Sequence, residues 1–129
     1  MKRKLPAILL LLSFIVGITF FTGCEKDEVK KTYVVTYKVK FAGNLTDNVQ
    51  ITYNDHTASV NPSTSSEWSN ALQFQSGQSV NLRAMVQDDD CGRVSVTATI
   101  LVNGSELCTK TESGDCLQSA YVMGSLPKN

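Results

Sequence analysis

The chain is poor in the residues that most enzyme chemistry needs. Its 129 residues include one histidine, one tryptophan and three prolines. A single imidazole, His56, excludes multi-histidine metal sites and leaves little for general-base catalysis. No Gly-x-Ser-x-Gly elbow, Cys–His motif or His-Glu-x-x-His motif occurs, so the usual hydrolase and zinc-peptidase signatures are missing. A basic excess is missing as well. Acidic and basic residues balance at twelve each, but Lys2, Arg3 and Lys4 precede every acid. Beyond residue 24, twelve acids face nine Lys and Arg. Binding nucleic acid through its phosphates requires the opposite balance, so that class is excluded. Nothing here calls for a cofactor or a metal.

Charge is also absent from Leu5 to Phe21, an apolar run interrupted only by Pro6, Ser13, Gly17 and Thr19. A positive start, a short apolar middle and small residues at Thr22-Gly23 make a secretory signal. Seventeen residues with Pro6 and Gly17 among them are short for a retained membrane span, the rival reading. Phe21-Thr22-Gly23-Cys24 resembles the bacterial lipobox, with Phe21 in place of the usual Leu. The resemblance implies cleavage after residue 23 and a diacylglycerol on the Cys24 thiol. Several acyl chains on one cysteine anchor far more firmly than a single chain. Next, Cys24-Glu25-Lys26-Asp27-Glu28 resembles an export signal of certain Gram-negative lipoproteins, which implies transfer to the outer face of the outer membrane. The plainer reading of Lys26, Asp27 and Glu28 is a polar tether, with the protein on the periplasmic face. Residues 24–31 are the only linker, and Glu25 to Lys31 reach about 25 Å at most at roughly 3.3–3.6 Å per residue.

From Thr32 the hydrophobic period becomes two. Tyr33, Val35, Tyr37, Val39 and Phe41 alternate with polar positions, and Val49, Ile51 and Tyr53 repeat the pattern. Ala58 and Val60 follow, then a Ser/Thr/Pro loop, Trp68, Leu72 and Phe74, and the run Val80, Leu82, Ala84, Val86. The cleanest alternation is Val94, Val96, Ala98, Ile100 and Val102; Asn103-Gly104 turns it into Leu107 to Thr111, and a last segment spans Leu117 to Met123. No stretch keeps a helical period. Seven or eight short strands over residues 32–126 predict an all-β, immunoglobulin-like antiparallel sandwich. Its expected core includes Val35, Tyr37, Ile51, Leu82, Val94, Val96, Ile100 and Leu107.

Ile51-Thr52-Tyr53, Trp68-Ser69, Gly77-Gln78-Ser79-Val80-Asn81-Leu82-Arg83-Ala84, Val96 to Gly104 and Ser119-Ala120-Tyr121-Val122 follow one another in the order of the MmpS (mycobacterial small membrane protein) family, which this chain resembles over roughly residues 33–123. The resemblance implies a small immunoglobulin-like sandwich outside the cytoplasm and an accessory role beside a large membrane transporter. The chain differs from that family in carrying a lipobox where the family has a transmembrane helix.

Of the remaining candidates, His56 falls in a predicted hairpin loop from Tyr53 to Thr57. Asp88-Asp89-Asp90 reads as a solvated acidic turn, because it lacks the spaced pattern of a calcium loop. Trp68 either fills the core or presents a platform for a sugar ring. Asn44-Leu45-Thr46 and Asn103-Gly104-Ser105 read as turns. Three cysteines remain besides Cys24, so one must be left over or pair with another molecule. A two-residue turn at Asn103-Gly104 sets Val102 opposite Ser105, and continuing that register brings Cys91 opposite Cys116. The pattern therefore predicts a Cys91–Cys116 disulfide with Cys108 free and facing Thr99. A Cys108–Cys116 bridge, through a bulge near Gly114, and no bridge at all remain as alternatives. Two functions follow: a non-enzymatic interaction or accessory lipoprotein with an unidentified protein partner, or a glycan- or small-ligand-binding module using Trp68 and nearby tyrosines.

Overall fold

The computed structural model describes residues 31–128. The signal segment, Cys24 and the Lys26-Asp27-Glu28 motif lie outside the described residues. Eight strands follow in order: β1 Thr32–Gly43, β2 Val49–Tyr53, β3 His56–Val60, β4 Glu67–Gln75, β5 Ser79–Gln87, β6 Arg93–Val102, β7 Ser105–Asp115 and β8 Leu117–Ser125. They form two four-stranded sheets, β4-β1-β6-β7 and β3-β2-β5-β8, in which every pairing is antiparallel. The expected immunoglobulin-like antiparallel sandwich is borne out, with the higher of the two strand counts.

The period-two pattern produces this architecture directly. On β1, Val35, Tyr37, Val39 and Phe41 point inward and are buried, while Lys38 and Lys40 between them are exposed. On β6, Val94, Val96, Ala98 and Ile100 do the same. Facing them across the interior are Ile51, Val80, Leu82, Ala84, Val86 and Val122 of the second sheet. Each fully buried aliphatic side chain contributes about 1.5–3 kcal/mol. Asn103 and Gly104 have φ of 49° and 84°, both positive as a type I′ hairpin requires, so β6 and β7 start in the predicted register.

That register then slips. Leu101 pairs with Glu106, but Ile100 pairs with Cys108, leaving Leu107 as the extra residue of a β-bulge. Leu107 is consequently not a core residue, contrary to the sequence pattern; it is 38% exposed. Its side chain lies over Gly124, where a Cβ would fall 2.8 Å from Leu107 Cδ2, so a larger residue on β8 would require the leucine to shift. In this way β7 and β8 close one edge of the sandwich. At the opposite edge, between β3 and β4, the gap is filled by aromatic rings.

Candidate functional site

The aromatic edge is built by register. Trp68 pairs with inward-facing Val39, and His56 pairs with Tyr53, so β4 and β3 deliver both rings to the side of Tyr53. Tyr53 has ring neighbours on three sides. Its centroid lies 5.2 Å from Tyr37, 5.0 Å from Trp68 and 5.3 Å from His56, the last stacked at 24°. Contacts of this kind add about 0.5–1.5 kcal/mol beyond area burial. The polar ends are satisfied: Tyr37 OH donates to Asn54 Oδ1 at 2.9 Å, and Asn70 Nδ2 donates to Tyr53 OH at 3.0 Å. Burial, and secondarily the nearby Tyr53, pushes the Tyr37 phenol up to about 12.

Trp68 is half-buried and packs against the core, with its ring committed to Tyr53. His56 opens β3 directly after the two-residue turn Asn54-Asp55, so it is a strand residue and not part of a longer hairpin loop. The described residues contain no group of three His, Cys, Asp or Glu able to hold a metal.

The far end of the sandwich holds the disulfide. Cys91 and Cys116 are bonded, and Cys108 is a free, half-buried thiol, as the pattern predicts. The geometry that joins them differs from the prediction. The bulge places Cys108 opposite Ile100 instead of Thr99, and the ladder ends at Arg93 with Asp115. Cys91 and Cys116 sit just beyond it with φ of 58° and 72°, in turns and not in a regular ladder. Cys116 N–H donates to the Gly92 carbonyl at 3.1 Å, and Asp88 N–H donates to the Cys116 carbonyl at 2.7 Å, so backbone hydrogen bonds bring the two turns together. Asp88 is also buried, which corrects the solvated acidic turn. Its carboxylate accepts from the amides of Asp90 at 2.9 Å and Gly92 at 3.0 Å, shaping the loop that presents Cys91. Asp89 and Asp90 remain exposed. Burial, with a smaller effect of Glu106, raises the Cys108 thiol above its ordinary value.

The outer faces differ in character. On the first sheet, threonine hydroxyls pair across β6 and β7, Thr97 with Thr111 and Thr99 with Thr109, each at 2.8 Å. A depression of about 400 Å³ on that sheet is lined by Lys38, Lys40, Ser65, Glu67 and Trp68 among others. Another, of about 540 Å³, is lined by Thr46, Asp47, Asn48, Gln50, Met85 and Gln87. Both are open and polar, and neither assembles a reactive constellation. The outer face of β8 is different: Leu117, Tyr121 and Met123 are exposed there, and the Arg83 guanidinium lies 5.4 Å over the Tyr121 ring. This strip was missed in the sequence, although Tyr121 and Met123 occupy the outward positions on either side of buried Val122. No known family model matches the chain, and no curated protein does.

Proposed function

We propose that this chain is a lipid-anchored extracytoplasmic lipoprotein whose sandwich serves as a non-enzymatic interaction or accessory module. The observation that carries this reading is the Cys91–Cys116 disulfide, because such bridges persist in oxidising compartments and are rare in reducing ones. The Gly23-Cys24 junction after the apolar run supplies the means of attachment. Lys26-Asp27-Glu28 supports the outer face of the outer membrane, with the periplasmic face as the alternative. The motif order that resembles the MmpS family makes a membrane transporter one candidate partner among others. The position of Trp68 supports protein interaction over a glycan platform, since its ring packs at a tilt against Tyr53 at the core edge. Mass spectrometry of the protein from its own membrane tests the anchor. The expected result is loss of the first 23 residues and a diacylglycerol-sized increment on Cys24; an intact Met1 terminus overturns the reading.

A further inference from the structure

We propose that the outer face of β8, near the corner where the chain enters the sandwich, rests on the lipid surface itself. Met123 and Tyr121 seat in it, and Arg83 and Lys128 face anionic headgroups. The inference deepens the lipid-anchor reading and depends on it.

The chain enters and leaves the sandwich at one corner. Ser76 N–H donates to the Lys31 carbonyl at 2.8 Å, and Gly77 N–H donates to the Pro127 carbonyl at 3.1 Å, so one turn holds both ends of the domain. Lys128 lies at the same turn, its Cγ 3.9 Å from where a Gly77 Cβ would be. β8 ends there too, with Ser125 opposite Ser79 and Leu126 N–H donating to the Gln78 carbonyl. Moving back along β8, Met123 faces Asn81 and Tyr121 faces Arg83. At about 3.3 Å per residue, these two lie roughly 7 and 13 Å from the end of the strand. Seven tether residues, 25–31, separate Cys24 from β1. Their reach of at most about 25 Å keeps this corner close to any membrane that holds the Cys24 lipid.

The chemistry of the strip fits that location. Met123 is 63% exposed, the most exposed of the large apolar side chains, and Tyr121 is 43% exposed. A tyrosine suits the headgroup level, with its ring toward the acyl chains and its hydroxyl toward water. Arg83 on the Tyr121 ring and Lys128 at the corner add positive charge beside the apolar pair, which anionic lipid attracts. β8 itself has no charged residue. Asp55, in the β2–β3 turn, follows Asn54, which is hydrogen-bonded to Ser79 and Asn81 of β5, so one carboxylate stands on the far side of β5 from the strip. Leu117, next to Cys116 at the far end, is beyond the contact.

The test uses the full lipid-modified chain in vesicles of phosphatidylethanolamine and phosphatidylglycerol, with and without brominated acyl chains. Met123→Trp and, independently, Tyr121→Trp place a fluorophore in the strip. Thr57→Trp places one on the outer face of β3 in the same sheet, and the unaltered chain reports Trp68 alone. The proposal expects bromine to remove most of the emission added at 123 or 121 and to leave that of Thr57→Trp and Trp68 unchanged. Equal quenching at position 57, or none at 121 and 123, overturns it. A blue-shifted emission at 123 that bromine leaves intact means burial against protein, a second copy or another partner, and also overturns it. Failure of the chain to float with the vesicles refutes the lipid anchor instead, a separate outcome visible before any quenching is read.

Discussion

Ile100 and Leu107 have side chains of equal size and were both assigned to the core by alternation, yet they meet different environments. Ile100 is fully buried near the end of β6, while Leu107 is the bulged residue on β7 and remains partly exposed over Gly124. Ile100→Ala should cost about 2–5 kcal/mol and Leu107→Ala clearly less, because only a fully enclosed truncation leaves a cavity. Denaturant unfolding of the two variants checks the order; equal losses would contradict the bulge. Tyr37 gives a residue-scale prediction in pH. Its phenol is raised to about 12, against about 10 in an unfolded chain, so the folded state favours the protonated form. Its contribution is therefore complete below pH 10 and is lost as pH rises toward 12. Tyr37→Phe removes the hydrogen bond to Asn54, about 1 kcal/mol at neutral pH, and with it this alkaline loss. The melting-temperature gap between the two proteins should narrow as pH rises from 10 to 12. A constant gap would argue against the burial of that hydroxyl.

At the scale of the element, the strands were legible because each needed only a local pattern. Val94 to Val102 alternate without interruption, and Asn103-Gly104 is among the dipeptides that a type I′ turn accepts most readily. The bulge was not legible. Gly114 is the expected site for one, but the extra residue is a leucine, which contacts Gly124 on a strand in the other sheet. Such a contact appears in no local window of sequence. The aromatic edge was half legible for the same reason: Tyr53 reads as an inward position and Trp68 as either core or platform, but their meeting depends on the way the two sheets stack. The disulfide pair was found by a register that does not hold past Leu101; the positive-φ turns at Cys91 and Cys116 restore the match that the bulge would have broken. The sulfurs close a loop of 25 residues, which by loop entropy stabilises the fold by about 3–4 kcal/mol. The double variant Cys91→Ser, Cys116→Ser should lose stability of that order in urea unfolding. Because β6 and β7 are still joined by their hairpin, it should keep its β-rich circular dichroism spectrum; loss of the spectrum at room temperature would mean the bridge is required for folding. β7 also guards its own edge: Lys110 and Glu112, on the inward side at the rim, pair at 3.3 Å, and charge in that position discourages strand addition.

For the whole molecule, the proposed cell-surface location rests on three tether residues. Changing Lys26, Asp27 and Glu28 to alanine should convert a protein that added protease digests on intact cells into one that it does not reach. If protease fails to reach the unaltered protein, the periplasmic face replaces the cell surface. The domain beyond the tether also has a mechanical character set by β1. That strand begins at the entry corner and runs the length of the first sheet, hydrogen-bonded to β4 on one side and β6 on the other. A tensile load that enters at Lys31 and is resisted at the disulfide end therefore runs along β1, not across it. Its ladders are sheared with all their bonds bearing together, whereas a perpendicular pull would open them one at a time. The sandwich is thus built to resist load applied between its entry corner and its disulfide end.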